Sequence, residues 1–158
     1  MPGERSLEGM RAYEAAVDEL IANAQRTVRI FDRALGRGFN SAQRVDALSR
    51  LLLDRRTNRV HIVVHDASNI IVDCPRLMML LRRFSDTLAI RQTLPAARGA
   101  YDPFAIADEV RFVHRFHYDS MRGVAVIGDL AATRTLLNRF DDIWEASSPA
   151  ASATTIGL

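Results

Sequence analysis

Short β-type segments alternate with helical segments in the first 92 residues of this chain, and this alternation constrains the fold more than any other feature. The most apolar segment runs from Arg59 to Val64 and includes Val60, Ile62, Val63 and Val64. A strand that is apolar on both faces is typical of a sheet covered by helices on both sides. Further strands are predicted over residues 27–31 and 87–92, so the pattern indicates an α/β fold.

Amphipathic helices are predicted between and beside these strands. Residues 7–25 carry apolar side chains at three-to-four spacing, which predicts the first helix. Further helices are predicted after a cap at Asn40 or Ser41, after Asp73 and after Asp129. In the last helix we expect a buried stripe of Leu130, Leu137, Phe140 and Trp144. The aromatic rings of this stripe are candidates for the core or for an oligomer contact.

The second half of the chain is less periodic. Residues 93–108 combine Leu-Pro, Gly99 and Asp-Pro signals, which predict a long loop. Residues 110–118 and 123–127 predict an antiparallel hairpin. The predicted fold class is therefore α/β, with a mixed β-sheet sandwiched by helices. We expect one domain over residues 1–147 and a flexible C-terminal tail over residues 148–158.

All 21 basic side chains of the chain are arginines. The absence of lysine excludes Schiff-base catalysis, a P-loop phosphate site and Ser-Lys hydrolysis, since each needs a lysine amine. The formal net charge is only +2, so the chain has no strong positive field. Its densest basic pairs, Arg55-Arg56 and Arg82-Arg83, are too sparse to favour generic nucleic-acid binding.

The cysteine count and the apolar runs bear on the compartment. Cys74 is the only cysteine, so an intrachain disulfide is excluded and the chain fits a reducing cytoplasm. No apolar run approaches the roughly 20 residues that a membrane-spanning helix needs. The opening residues MPGERSLEG lack the hydrophobic stretch of a signal peptide. We therefore expect a cytoplasmic protein without a membrane partner.

Two stretches of the chain resemble one half of the phospholipase D-like fold. The segments TVRIF and NRVHIVVHD are similar to the strands of the first two β/α units of that family. The stretch from Arg111 to Pro149 is similar to the part of the family that runs from its catalytic strand to its closing helix. That helix carries Phe-Asp-x-x-Trp in the family, and here the positions are Phe140, Asp141 and Trp144. The likeness covers about 130 residues and rests mostly on packing positions.

Active members of this family carry His-x-Lys followed by four residues and Asp, where the histidine attacks phosphorus and the lysine neutralises the phosphoryl oxygens. Here His114 is followed two places later by Phe116, and His117 by Asp119. Arg115 does not replace the lysine, because it lies one residue away and on the opposite strand face. The resemblance thus implies a catalytically degenerate bacterial member. It also implies a homodimer, because the family's catalytic relatives pair two halves across a pseudo-twofold axis.

Polar residues follow the first two predicted strands, where ligands of open α/β sheets bind. Arginine at such a place suits bidentate capture of phosphate or carboxylate. We therefore predict a site for an anionic, phosphate-containing small ligand, whose candidate residues are Asp32, Arg33, His65, Asp66, His114 and His117. The alternative is that these side chains cap loops and pair with one another.

The histidine spacing does not predict a metal site. His114 and His117 lie three residues apart on a predicted strand, so their side chains point to opposite faces. His61 and His65 share a face but are separated by roughly 13 Å. We predict no metal, no cofactor and no catalytic residue.

Three functions are compatible with these features. The first is a non-catalytic, homodimeric binding or interaction module. The second is a lysine-independent enzyme acting on phosphoesters through His65, Asp66 and Arg33. The third is nucleic-acid binding through exposed arginines, which the weak net charge disfavours.

Overall fold

A computed structural model describes residues 3–151, and within them eight strands form a single mixed sheet. The strands are β1 (Gly3–Glu8), β2 (Thr27–Ala34), β3 (Arg59–Asp66), β4 (Leu88–Thr93), β5 (Phe104–Ala107), β6 (Arg111–Arg115), β7 (Arg122–Ile127) and β8 (Ser147–Ala151). Their order across the sheet is β1-β7-β6-β5-β2-β3-β4-β8. The neighbours β2, β3 and β4 are parallel, and all other pairs are antiparallel.

Helices cover both faces of the sheet, as the apolar β3 segment predicts. They are α1 (Met10–Asn23), α2 (Ala42–Asp54), α3 (Ile70–Asp73), α4 (Pro75–Arg83) and α5 (Leu130–Glu145), with 3₁₀ turns at Arg37–Asn40 and Pro95–Ala97. Helices α1, α2 and α4 share a core with one face, which we call the α1 face. Helix α5 packs on the other face, which we call the α5 face. The predicted fold class, a mixed α/β sheet between helices, is confirmed.

Three strands lie where the sequence predicts something else. The predicted helix over residues 7–25 begins only at Met10, because Gly3–Glu8 forms edge strand β1 and Gly9 turns the chain with a φ of 89°. The predicted loop over residues 93–108 contains β5, whose four residues are all buried. The predicted tail begins with β8, which pairs antiparallel with β4. Residues 152–158 of that tail lie outside the described residues.

The predicted stripe of the last helix is mostly part of the core. Leu137 and Phe140 are buried, whereas Leu130 is 64% exposed in the first turn of α5. Trp144 stacks on the ring of His61, with a centroid distance of 4.6 Å, and Arg91 lies 5.0 Å above the indole. The aromatic rings of this stripe are thus packed within the chain. In the described part of the chain, no helix has the length and apolarity that a membrane span requires.

A buried carboxylate at Asp108 joins the β5–β6 hairpin to the start of β2. Its two oxygens accept hydrogen bonds from the backbone N–H groups of Gln25, Arg26 and Thr27, at 2.9, 2.7 and 3.0 Å. Asp108 and the next residue, Glu109, both have a left-handed φ, at 55° and 60°. The Glu109 side chain is exposed and lies 3.6 Å from Arg29. The two neighbours share a backbone conformation but differ in what their carboxylates bind.

We expect Asp108→Ala to lower the free energy of unfolding by about 2–4 kcal/mol, because three N–H groups lose a charged acceptor. Urea unfolding followed by circular dichroism measures this change. Glu109→Ala is the matched control, since it places alanine in the same strained region of φ but removes only an exposed ion pair. If both variants lose the same free energy of unfolding, the loss comes from the strained backbone and not from the carboxylate of Asp108.

Candidate functional site

The carboxyl ends of the parallel strands β2, β3 and β4 meet the end of β6 at one edge of the sheet. Successive residues of a strand alternate between the two faces. At this edge, Asp32 and Arg115 lie on the α1 face, whereas His65 and His114 lie on the α5 face with the core residues Phe31 and Phe104. The six candidate residues therefore divide between the two faces of the sheet.

His65 is held by two hydrogen bonds within the protein. Its Nε2 donates to the backbone carbonyl of Ala100 at 2.6 Å, because a carbonyl oxygen can only accept. Its Nδ1 is hydrogen-bonded to the hydroxyl of Thr93 at 2.7 Å. The ring of His65 therefore ties β3 to β4 and to the segment before β5, and neither ring nitrogen is free for a ligand.

His114 is part of an ion-paired triad with Asp102 and Arg139. Its Nε2 donates to Oδ2 of Asp102 at 2.8 Å. Arg139 in α5 binds the same carboxylate with both of its terminal nitrogens, with Nη2 lying 2.6 Å from Oδ1. Bidentate pairing of this kind fixes both groups in orientation. The triad ties the end of β6, the segment before β5 and helix α5 to one another.

The charge state of the triad follows from its hydrogen bonds. Burial by itself raises the pKa of Asp102, but the hydrogen bonds from Arg139 and His114 outweigh it and hold the pKa well below its usual range. The hydrogen bonds that Arg139 donates to Asp102 also raise the pKa of Arg139. Asp102 is therefore ionised at any physiological pH, and it accepts the hydrogen bond from Nε2 of His114.

An open cluster of rings and one cation lies beside this triad. The ring of His117 stacks on that of Tyr118 at 4.7 Å, and Tyr101 lies 5.6 Å from His117 and 5.8 Å from Tyr118. The guanidinium of Arg33 lies 4.9 Å above the Tyr118 ring. We call Arg33, Tyr101, His117 and Tyr118 the aromatic cluster. Tyr101 is 49% exposed, so the cluster presents ring faces to solvent.

The backbone holds the aromatic cluster in place. The N–H of Tyr118 donates to the carbonyl of Tyr101 at 2.7 Å, and the N–H of Asp119 donates to Nδ1 of His117 at 3.1 Å. Among the described residues, Arg33 forms no ion pair with a carboxylate. At the carboxyl ends of the strands, the aromatic cluster therefore combines an available cation with exposed aromatic surface.

Asp32 occupies a different environment on the α1 face. It is half-buried near Tyr13 and Arg115, and its Oδ1 accepts from the N–H of Arg33 at 2.7 Å. Burial raises the pKa of Asp32 from 3.8 to about 6, with a further contribution from the charge of Glu14. Burial also raises the pKa of the Tyr13 hydroxyl, with a contribution from Asp32.

Asp66 is exposed and caps the turn after β3. Its Oδ1 accepts from the N–H of Ser68 at 2.9 Å. The side-chain and backbone hydrogen bonds of Ser68 lower the pKa of Asp66, and the charge of Arg33 adds to this effect. Of the six candidate residues, only Arg33 and His117 share the open cluster. That these residues bind a ligand stays a prediction.

Four residues of this region were not predicted as site residues, namely Tyr101, Asp102, Tyr118 and Arg139. Tyr101 and Asp102 fall in the segment predicted as an unstructured loop, and Arg139 precedes the core residue Phe140 in α5. No spacing links Asp102 with Arg139, because the two are 37 residues apart. Within residues 3–151, no three His, Cys, Asp or Glu side chains converge as metal ligands.

The raised pKa of Asp32 gives a pH-dependent stability. A carboxyl whose pKa is higher in the folded protein favours folding below its unfolded pKa of 3.8, and this contribution is lost as the pH rises through about 6. We therefore expect Asp32→Asn to be more stable than the wild type by about 1–2 kcal/mol at pH 7.5, with the difference vanishing near pH 4. Urea unfolding at both pH values tests this.

The control for this prediction is Asp66→Asn, which changes an exposed carboxyl at the same edge whose pKa is lowered. It should show no gain in stability at pH 7.5. If Asp32→Asn destabilises the protein at pH 7.5, the attraction of Asp32 to Arg115 and Arg44 outweighs the cost of burying its charge.

The fold is similar to that of solved structures in the phospholipase D family. Nuc from Salmonella typhimurium, described as a phospholipase D family member, matches with a TM-score of 0.69 at 16% identity. The match covers 96% of this chain and 100% of Nuc. NucT from Helicobacter pylori matches with a TM-score of 0.60 at 12% identity, over 94% of this chain and 99% of NucT.

About half of the archaeal chromatin protein TrmBL2 has a similar fold. It matches with a TM-score of 0.68 at 13% identity, over 93% of this chain and 54% of TrmBL2. At these identities the three likenesses show the fold alone. No curated protein matches the sequence. A family pattern, in contrast, matches residues 9–154, nearly the whole of the chain, and so this chain belongs to the family described as Domain of unknown function (DUF7931).

Proposed function

We propose that this domain is a non-catalytic binding module with the phospholipase D-like fold. Its ligand is a small molecule that carries a phosphate and an aromatic ring, and the ligand binds at the aromatic cluster. The observation on which this proposal rests is the triad, in which the histidine of the catalytic strand is already bonded through Nε2 to Asp102. The aromatic cluster beside it is open to solvent.

The bonded Nε2 of His114 and the missing lysine together support the absence of catalysis. A histidine nucleophile needs a ring nitrogen that is directed at phosphorus and carries no proton. The Nε2 of His114 donates a hydrogen bond to an ionised carboxylate that Arg139 also holds, so only Nδ1 of that ring could act as a nucleophile. No lysine exists in the chain to neutralise the oxygens of a phosphoryl group. Arg115 lies on the opposite face, where its Nε donates to the carbonyl of Ser120 at 2.8 Å.

The aromatic cluster supports the class of ligand. Stacking of a base on an aromatic side chain contributes about 1–3 kcal/mol, and it needs only an exposed ring face. Tyr101 offers such a face, and Arg33 offers a planar cation that suits a phosphate group. The net charge of +2 supports a small ligand over an extended nucleic acid. A nucleoside monophosphate has both required groups.

We expect AMP to bind the wild type with a Kd in the micromolar to millimolar range, by isothermal titration calorimetry. Arg33→Ala and Tyr101→Ala should each weaken binding at least about tenfold, since each removes an interaction of roughly 1.4 kcal/mol or more. Adenosine and inorganic phosphate separate the contributions of the ring and the charge. Arg56→Ala is the control, because Arg56 is an exposed arginine before β3, at the opposite edge of the sheet.

Two outcomes would count against this proposal. Absence of AMP binding, or equal binding by Arg33→Ala and the wild type, would remove the aromatic cluster as the site. Turnover of a phosphodiester that is lost in His65→Ala would favour the lysine-independent enzyme instead. A single-stranded oligonucleotide belongs in the same titration, because the description of TrmBL2 mentions DNA binding. Tight binding of it that falls steeply with salt would favour nucleic acid.

We also infer that the module is a homodimer. Phe116 is 55% exposed and Met121 is 61% exposed, and both lie in the β6–β7 connection at the edge that carries the aromatic cluster. Large apolar side chains that stand together in solvent mark interaction surfaces, and aromatic residues and Met are enriched at interfaces. The Phe116 ring contacts His114 edge-on at 5.6 Å, so an interface there would adjoin the triad.

Light scattering after size exclusion should give a mass near twice the 17.7 kDa of the chain. Phe116→Asp should shift the protein to the monomer, because a charge placed in an apolar interface is not compensated. Val72→Asp is the matched control, since Val72 is an apolar side chain of α3 that is 80% exposed. A wild type that is monomeric at micromolar concentration would contradict the dimer.

A further inference from the structure

A cavity of about 250 Å³ lies between α1 and the strands β1, β6 and β7. It opens on the α1 face at the start of β6, whereas the aromatic cluster lies beyond the end of β6. The two are therefore at opposite ends of the same strand. The cavity exists because α1 packs over β5 and β6 and only partly over β1, so no helix closes the space above β7.

Small apolar side chains leave this space unfilled. Ala16 of α1 faces Ala125 of β7 across it, and neither is large enough to fill the gap between helix and sheet. Leu20, Val113 and Ile127 complete apolar walls. A cavity of about 150 Å³ with such walls holds a benzene molecule. The space here is larger, so it accommodates an aromatic ring or a short alkyl chain together with a polar head group.

Arg111 gives the cavity its polar side. It belongs to β6, and its side chain lies on the α1 face with that of Val113. Its Nε is buried and has no hydrogen-bond partner. Among residues 3–151, no carboxylate lies within ion-pair distance of its guanidinium. A buried N–H group without an acceptor is unfavourable. Arg111 is one of the residues that line the cavity, so its guanidinium is the cation nearest to a ligand bound there.

The charges at the mouth of the cavity restrict the class of ligand. Arg5 and Glu19 form an exposed ion pair at 3.3 Å. Together with Arg111, the charged side chains that line the cavity on the α1 face are two arginines and one glutamate. A single negative charge on a ligand can pair with Arg111, whereas a dianion such as phosphate would be repelled more strongly by the carboxylate of Glu19. Apolar walls and one available guanidinium therefore favour a monoanion with an apolar body.

We propose that this cavity binds a small organic monocarboxylate, whose carboxylate accepts hydrogen bonds from Arg111 and whose apolar body packs between α1 and β7. The guanidinium fork suits a carboxylate in geometry as well as in charge. The site is separate from the aromatic cluster and does not depend on the function proposed for it.

Benzoate and hexanoate are suitable probes, titrated into the full-length chain by NMR of the backbone amides. We expect saturable binding of at least one of them, with shifts concentrated in Ala16, Leu20, Val113 and Ala125. Benzyl alcohol, which has the ring without the charge, and inorganic phosphate should each bind at least about tenfold more weakly.

Arg111→Met keeps an apolar stem but removes the guanidinium, and it should weaken binding of the carboxylate at least about tenfold. Ala125→Leu fills the cavity while Arg111 stays in place, and it should also abolish binding. Arg5→Met is the control, because it removes an exposed arginine at the mouth that already pairs with Glu19. Arg33→Ala should leave binding unchanged, which separates this site from the aromatic cluster.

Two results would overturn the proposal. The first is the absence of saturable binding of both probes at millimolar concentration. The second is equal binding by the wild type and Arg111→Met, provided that the amide spectrum of the variant shows a folded protein. If Ala125→Leu does not fold, Arg111→Met and Arg5→Met still give the decisive comparison, since neither adds volume to the core.

Discussion

The cover of helices on both faces of the sheet is the constraint on which the rest of this structure depends. Because β3 is buried on both sides from Val60 to Val64, apart from His61, its centre offers little room for polar chemistry. Ionisable groups therefore lie mainly at the ends of the strands. Because successive side chains of a strand point to opposite faces, these groups are divided between the two faces of the sheet. The same rule that places Arg33 and His114 on the α5 face places Asp32 and Arg115 on the other.

Much of the fold could be predicted from the sequence, because its central elements are periodic. The strands β2, β3 and β4 and the helices α1, α2 and α5 all carry apolar side chains at a recognisable spacing. The edge strands could not be found in this way. Strand β1 buries only Leu7, β8 contains Pro149 and small residues, and β5 has four buried residues without alternation. Pairing with neighbours distant in sequence, and not local preference, makes these segments strands.

The candidate site was harder to predict than the fold. The sequence places polar residues at the strand ends correctly, but it does not show which of them are already bonded within the protein. His65 is hydrogen-bonded to Thr93 and Ala100, and His114 is hydrogen-bonded to Asp102. All three partners lie in or after β4, and each is at least 12 residues away from its histidine in the sequence. Contacts of this kind leave no local signal. Arg33 and His117, in contrast, lie in the open aromatic cluster.

The bidentate pair of Asp102 and Arg139 has a consequence for the ligand binding that we propose at the neighbouring aromatic cluster. Tyr101 is adjacent to Asp102 in sequence, and its carbonyl holds Tyr118 through the N–H of that residue. The backbone of two residues of the cluster, Tyr101 and Tyr118, is thus fixed by bonds formed during folding. A mobile loop loses conformational entropy when it binds a ligand. Here the segment is already ordered in the native protein, so this entropy is lost on folding and not on binding. Preorganisation of this kind lets a small contact area yield useful affinity.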